Sequence, residues 1–209
     1  MSSRDFLSTA DNFTALHFAT YLGHTSSVAF LLEMGAPVEA AVREWNATPL
    51  HLACGKGHFH CAQLLLNAEA NVNSQDRDGR TPFLMAAAGN HVDILKLLVR
   101  SGADISLPDD DNRTALHYAS GRGHTSSVAC LLELGAPVEA EDKDKWRPLH
   151  LACGKIPHFG CIQLLVKAGA EVNAQTAQGI TPFLMAAAGN QVEILKLLAH
   201  SGADIALPS

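Results

Sequence analysis

Residues 81–90 read TPFLMAAAGN, and residues 181–190 spell the same ten letters again. An exact match of that length points to a period, so self-similarity is read before helix and strand propensities. The match widens on both sides. Residues 14–40, TALHFATYLGHTSSVAFLLEMGAPVEA, return at 114–140 as TALHYASGRGHTSSVACLLELGAPVEA, and LHLACGK at 50–56 returns at 149–155. The chain is therefore a block of about one hundred residues written twice. Each block divides again, because aligning Thr14, Thr48, Thr81, Thr114, Arg147 and Thr181 gives spacings of 34, 33, 33, 33 and 34 residues. The result is six units, approximately 9–41, 42–75, 76–108, 109–141, 142–175 and 176–208, arranged as two three-unit blocks within a single domain spanning 1–209.

One physical plan recurs in each unit. A polar turn carries Asn12, Asn46, Gly79, Asn112, Lys145 or Gly179, and five of these six are residue types that tolerate positive φ; Lys145 is the exception. Two residues later a Thr suits a helix N-cap, followed by Pro at Pro49, Pro82 and Pro182, where a missing N–H costs nothing. A short first helix begins there. Gly23-His24, Gly57-His58 and Gly123-His124 interrupt it, and an apolar pattern such as Val128, Leu131 and Leu132 then marks one face of a second helix. Gly35, Gly102, Gly135, Gly169 and Gly202 stand where that helix needs a C-cap. A lone hairpin of helices cannot bury its apolar face, so neighbouring units must stack, and any function must reside on a surface that several units share.

Composition narrows the function classes. With 47% apolar and 17% charged residues the chain can bury a sizeable core. No window offers the roughly 18 apolar residues of a membrane span, and MSSRDFLSTA lacks the apolar core of a secretion signal, so no membrane insertion is expected. An intracellular protein is expected, cytoplasmic first and nuclear second. Five cysteines, Cys54, Cys61, Cys130, Cys153 and Cys161, sit in apolar helical patterns and read as reduced thiols. A formal charge of −6 supplies no basic field for phosphate backbones, so nucleic acid is not an expected partner.

The motif T-P-L-H-x-A followed by G-H, L-L, G-A and V-N, as in TPLHLACGKGH at 48–58 and LLVKAGAEVN at 164–173, resembles the ankyrin repeat across residues 9–207. The resemblance implies an all-α solenoid of helix-turn-helix units joined by β-hairpin-like turns, and a non-enzymatic module binding another protein or peptide on its concave face. Units three and six depart from the motif, with Phe83-Leu84 and Phe183-Leu184 where the others carry Leu-His. Ile156-Pro157 replaces the glycine seen at Gly57 and lengthens unit five, so that loop is expected to be distorted.

Candidate chemistry reads mostly as structure. His17, His51, His117 and His150 share one slot of the first helix, which the resemblance makes structural, bonding backbone between turns. Cys54, His58, His60 and Cys61 bring four ligand types into eight residues, but the second block carries Gly160 where His60 stands, and no metal is expected. The acceptor patterns at 12–14, 46–48 and 112–114 are equally what a left-handed Asn before a capping Thr produces. No phosphate loop, carboxylate pair or nucleophile–base set is present, so neither catalysis nor a cofactor is expected.

The protein-binding face implied by the resemblance comprises Phe13, Tyr21, Leu22 and Trp45 as an apolar end, then Lys56, Arg77, Arg80, Arg113, Arg122, Trp146 and Lys155 with acidic residues among them. Trp, Tyr and Arg are the types that most often anchor interfaces. Differences between the blocks fall there: Tyr21-Leu22 becomes Gly121-Arg122, and Phe13 becomes Arg113. Asn173 in LVKAGAEVNA resembles an asparaginyl-hydroxylase acceptor in ankyrin proteins, with Asn73 a weaker match. Residues 181–207 repeat the internal unit 81–107 with no polar cap evident. Three accounts are open: a piece of a longer array, thin cover by MSSRDFLS and ALPS, or end-to-end self-association of a structural, even engineered, scaffold.

Overall fold

The computed structural model describes residues 12–206, so the cover expected of MSSRDFLS and of the last three residues falls outside the described part. Twelve helices follow in chain order: α1 Ala15–Tyr21, α2 Thr25–Glu33, α3 Pro49–Lys56, α4 Phe59–Asn67, α5 Pro82–Ala88, α6 Val92–Arg100, α7 Ala115–Gly121, α8 Thr125–Glu133, α9 Pro148–Ala152, α10 Phe159–Lys167, α11 Pro182–Ala188 and α12 Val192–His200. Among the described residues there is no strand, and the turns between units are closed by local pairs such as Asp76 N–H to Arg80 O (2.9 Å) and Gly79 N–H to Asp76 O (3.1 Å).

Short helices of this kind nucleate poorly alone, and their ends are held by side chains. Thr14, Thr48, Thr81, Thr114 and Thr181 occupy N-caps with extended backbone, and Thr81 Oγ1 accepts the Leu84 N–H at 3.3 Å. Pro49, Pro82, Pro148 and Pro182 start their helices where no intrahelical N–H bond is lost. The turn position occupied by Asn12, Asn46, Gly79, Asn112 and Gly179 has positive φ throughout. Lys145 corrects the expectation drawn from residue type, because it too sits at φ +60°. Buried Asp142 enforces this, accepting the N–H groups of Asp144 and Trp146 at 3.0 and 2.9 Å. A non-glycine residue there carries roughly 1–2 kcal/mol of strain.

Two compact units divide between Asp104 and Ile105. In the first, α1 packs on α3 and α3 on α5, while α2 packs on α4 and α4 on α6. Its core holds Leu16, Val28, Leu50, Ala53, Cys61, Leu65, Leu84, Ile94 and Leu98. In the second, α7 packs on α9 and α9 on α11, with α8 against α10, over Leu116, Val128, Leu131, Leu149, Cys161, Ile162, Leu165 and Leu198. Each such buried aliphatic side chain contributes roughly 1.5–3 kcal/mol, so identical core residues in both blocks specify the same packing twice.

Two close approaches fix how neighbouring hairpins meet. A Cβ at Gly57, whose φ is +80°, would lie 2.5 Å from His91 Cε1, so only glycine admits the imidazole of the following unit. His58 packs in the same way against Gly23 and donates from Nε2 to the Tyr21 carbonyl at 3.0 Å. The distortion expected at Ile156-Pro157 is present: α9 stops at Ala152, whereas its counterpart α3 continues to Lys56, and bends occupy 154–156.

Candidate functional site

The four slot histidines are wholly buried. His51 Nδ1 accepts the Thr48 N–H at 3.1 Å and Nε2 reaches Arg80 O at 3.0 Å, a pattern that requires the neutral Nε2–H tautomer. His117 repeats it between Thr114 N–H (3.1 Å) and Trp146 O (3.0 Å), and His150 between Arg147 N–H and the carbonyls of Ala174 and Ile180. Burial, against the smaller opposing effect of these carbonyls, holds His17, His51, His117 and His150 below the usual imidazole range. His51, His117 and His150 thus tie their own first helix to a turn of the next repeat, the structural role implied by the motif, whereas His17 bonds within its own cap at Thr14 (3.1 Å).

In the first unit the expected apolar end is only partly assembled. Phe13 packs edge-on against Phe18 (4.6 Å between centroids) and beside the His17 ring at 5.2 Å. Tyr21 receives the Lys56 ammonium 4.4 Å above its ring, so these two do meet. Leu22, 52% exposed, joins Phe18 and Phe30 instead, in a groove of about 660 Å³ between α1 and α2. Trp45 is half-buried on the turn 42–47, and its carbonyl accepts the Arg77 N–H at 2.8 Å. The exposed Arg77 guanidinium donates to Arg43 O at 3.1 Å, which places it beside that turn. Arg80 is engaged by Asp76 and Asp78 at 2.9 and 2.8 Å and braces its own turn.

In the second unit Arg113 and Arg122 come together. With His117, Tyr118, Gly121 and Leu151 they line a cavity of about 210 Å³. Arg113 gives its Nε to Asp142 Oδ2 at 3.3 Å, while the Tyr118 hydroxyl donates to Asp109 Oδ2 at 2.5 Å. Trp146 lies half-buried with its ring 6.0 Å from that of His150, and Lys155 is exposed in the bend after α9, off any helix. Lys155 therefore does not reproduce the place of Lys56.

The acids expected among the binding residues, Asp78, Asp110, Asp111 and Asp144, are exposed at the turns, but sequence reasoning missed Asp76, Asp109 and Asp142, which are buried and accept two backbone N–H groups each. Their signal was legible: an Asp two residues ahead of the N–H it captures is the Asx-turn pattern. Asn173 spends its side chain on structure, donating to Gly202 O at 3.0 Å and accepting Asp204 N–H at 2.8 Å. Asn73 does the same to Gly102 and Asp104, so a modifying enzyme must open that turn first. Cys54 and Cys61 are buried, His58 is bonded to Tyr21 O, and His60 is exposed. Among the described residues no group of three His, Cys, Asp or Glu side chains converges as a metal site.

Hairpins in phase, turn-closing acids and histidines bridging successive turns define one repeat architecture. Sequence models of that architecture agree: the one described as Ankyrin repeats (3 copies) matches residues 37–109, 62–142, 101–176 and 135–209, and the one described as Ankyrin repeat matches 11–42. The chain belongs to the ankyrin repeat family. Its fold resembles the crystal structure of the human ASB11 ankyrin repeat domain, with a TM-score of 0.82, 27% identity and coverage of 92% of this chain and 86% of that one. Among curated proteins, the ankyrin repeats here are 37% identical over 70 residues to palmitoyltransferase Hip14 of Drosophila melanogaster, covering 34% of this chain and 11% of that protein. They are 45% identical over 69 residues to the Ankyrin repeat and LEM domain-containing protein 1 homolog of Caenorhabditis elegans, covering 32% and 10%. Alpha-latrotoxin-Lhe1a of Latrodectus hesperus shares 33% identity over 70 residues, covering 33% of this chain and 5% of the toxin. The chain thus spans about a tenth or less of these relatives, and the likeness concerns the repeats. Ankyrin repeats are generally protein–protein interaction modules. No described helix is long and apolar enough to cross a membrane.

Proposed function

We propose that this ankyrin repeat chain is a single, non-enzymatic, intracellular interaction domain that receives a segment of another protein on the face carrying its turn tips and the ends of its first helices. One observation carries the reading. Most of the large buried side chains recur between the blocks, as in Leu16 and Leu116, Val28 and Val128, or Ile94 and Ile194, with exceptions such as Ala62/Ile162, whereas changes of chemical type fall at Phe13/Arg113, Tyr21/Gly121 and Leu22/Arg122, none of which is buried. Paired changes at exposed and half-buried places beside a largely repeated core are what recognition of a partner demands, because those side chains do not hold the stack together. Aromatic anchors at such a surface typically contribute 2 kcal/mol or more, so Tyr21→Ala/Trp45→Ala is expected to weaken the wild-type partner's binding by about thirtyfold or more. Titration calorimetry with the partner recovered by wild type checks this; unchanged affinity removes the groove assignment.

A second reading, end-to-end assembly of a structural scaffold, is favoured by the burial pattern. Phe83, Leu84, Ala87 and Leu95 are wholly buried, but their copies Phe183, Leu184 and Leu195 are half-buried and Ala187 is exposed; Phe30 is 60% exposed where Cys130 is buried. Light scattering over a concentration series is expected to show growth in mass under this reading, and a strict monomer throughout would exclude it.

A further inference from the structure

The cavity in the second unit is made by the very substitutions that separate the two blocks. In the first block its lining positions carry Phe13, Phe18, Tyr21 and Leu22; in the second they carry Arg113, Tyr118, Gly121 and Arg122. Gly121 has ordinary backbone geometry, and a Cβ built there would lie 3.4 Å from Leu151 Cβ. A side chain at position 121 therefore projects across Leu151, and the glycine leaves that space open. At the same two steps, Phe13 to Arg113 and Leu22 to Arg122, an apolar rim becomes a cationic one.

We propose that this cavity is a subsite for an acidic side chain of the partner segment, a glutamate by preference, an inference that rests on the groove reading above and names the chemistry of one of its pockets. At about 210 Å³ the cavity lies below the roughly 300–1,000 Å³ of small-molecule sites and suits one side chain of a larger ligand. Arg113 is engaged by Asp142 through Nε, so its terminal amino groups keep their fork of donors for a carboxylate. Three carboxylates act on Arg113: Asp109 and Asp142 are buried in their turns, committed to backbone N–H groups, to Tyr118 and to Arg113, and the exposed Asp111 pairs with Lys143 at 3.7 Å. The Arg113 side chain is 42% exposed and Arg122 is exposed, so positive charge faces the solvent side. Leu151 and the ring of Tyr118, held by its bond to Asp109, supply an apolar wall along which the two methylenes of a glutamate can lie, one more than aspartate offers.

The test selects phage-displayed random peptides on the full chain, then measures the recovered peptides by calorimetry against wild type, Gly121→Tyr and Arg122→Leu. Both variants carry the residue that the first block already uses at that place, so the fold tolerates them, and circular dichroism verifies it. The expected result is a Glu at one fixed position whose change to Gln weakens wild-type binding about tenfold or more, with little further loss on Arg122→Leu or Gly121→Tyr. Peptides without an acid at a fixed position, or a Glu-to-Gln effect undiminished on both variants, overturn the subsite. If binding resists Gly121→Tyr and Arg122→Leu but is lost in Tyr21→Ala/Trp45→Ala, the subsite fails and the groove stands. Binding indifferent to all of these variants, or recovery of no peptide, counts against both.

Discussion

Replacing His51 by alanine lowers the free energy of unfolding by about 3–5 kcal/mol, measured by urea denaturation followed by circular dichroism. The imidazole is wholly buried and serves two partners, the Thr48 N–H and the Arg80 carbonyl. Truncation orphans both groups, at roughly 1–3 kcal/mol each, and leaves a void as large as the ring. His117→Ala should behave alike through Thr114 and Trp146, whereas His60→Ala on the exposed side of α4 should change stability by no more than about 0.5 kcal/mol. A loss under 1 kcal/mol at His51 would show that the turn-to-turn bridge is decoration.

Acidification is expected to unfold the chain through the same four histidines. Their folded-state pKa lies below the 6.5 of the free side chain, chiefly because burial disfavours the imidazolium. Between the folded value and 6.5 the unfolded chain binds more protons than the native one, so stability rises with pH there and is lost as pH falls below 6.5. Each such histidine contributes a slope approaching about 1.4 kcal/mol per pH unit. Protonation would also place a hydrogen on Nδ1, where the N–H of Thr48, Thr114 or Arg147 already points. Unfolding free energies measured from pH 8 to 5 should therefore drop steeply below about 6.5, with His51→Ala flattening the slope by close to one proton. A flat profile over that range would contradict buried, neutral imidazoles.

The sequence carried the fold because the six units are in phase and their signals are local. A capping Thr, a Pro at the first helical position and glycines at 35, 102, 135, 169 and 202 each act within a turn of chain, and those glycines do take positive φ. Lys145 was misread because residue type records preference, while Asp142, through its hold on two N–H groups, imposes the conformation. Glu69 likewise takes positive φ without glycine at the end of α4, where the Ala70 N–H closes on Leu65 O at 3.0 Å. The site was less legible. Availability of a side chain follows from pairings that residue type does not disclose: Arg80 looked available and is held by Asp76 and Asp78 of its own turn, while Leu22 turned to Phe30 rather than to Trp45. The cavity beside Arg122 was invisible because its floor is an absence, Gly121, whose meaning depends on Leu151 from another helix.

The buried cysteines have a practical corollary. Burial drives the Cys54 thiol far up and pushes Cys153 up to about 12, so neither presents thiolate near neutral pH while its helix is packed. They occupy equivalent places, one in each half of the duplicated sequence. Alkylating reagents can reach either sulfur only through transient opening, which makes the pair an internal stopwatch: two labelling rates from a single sample time how often each half breathes.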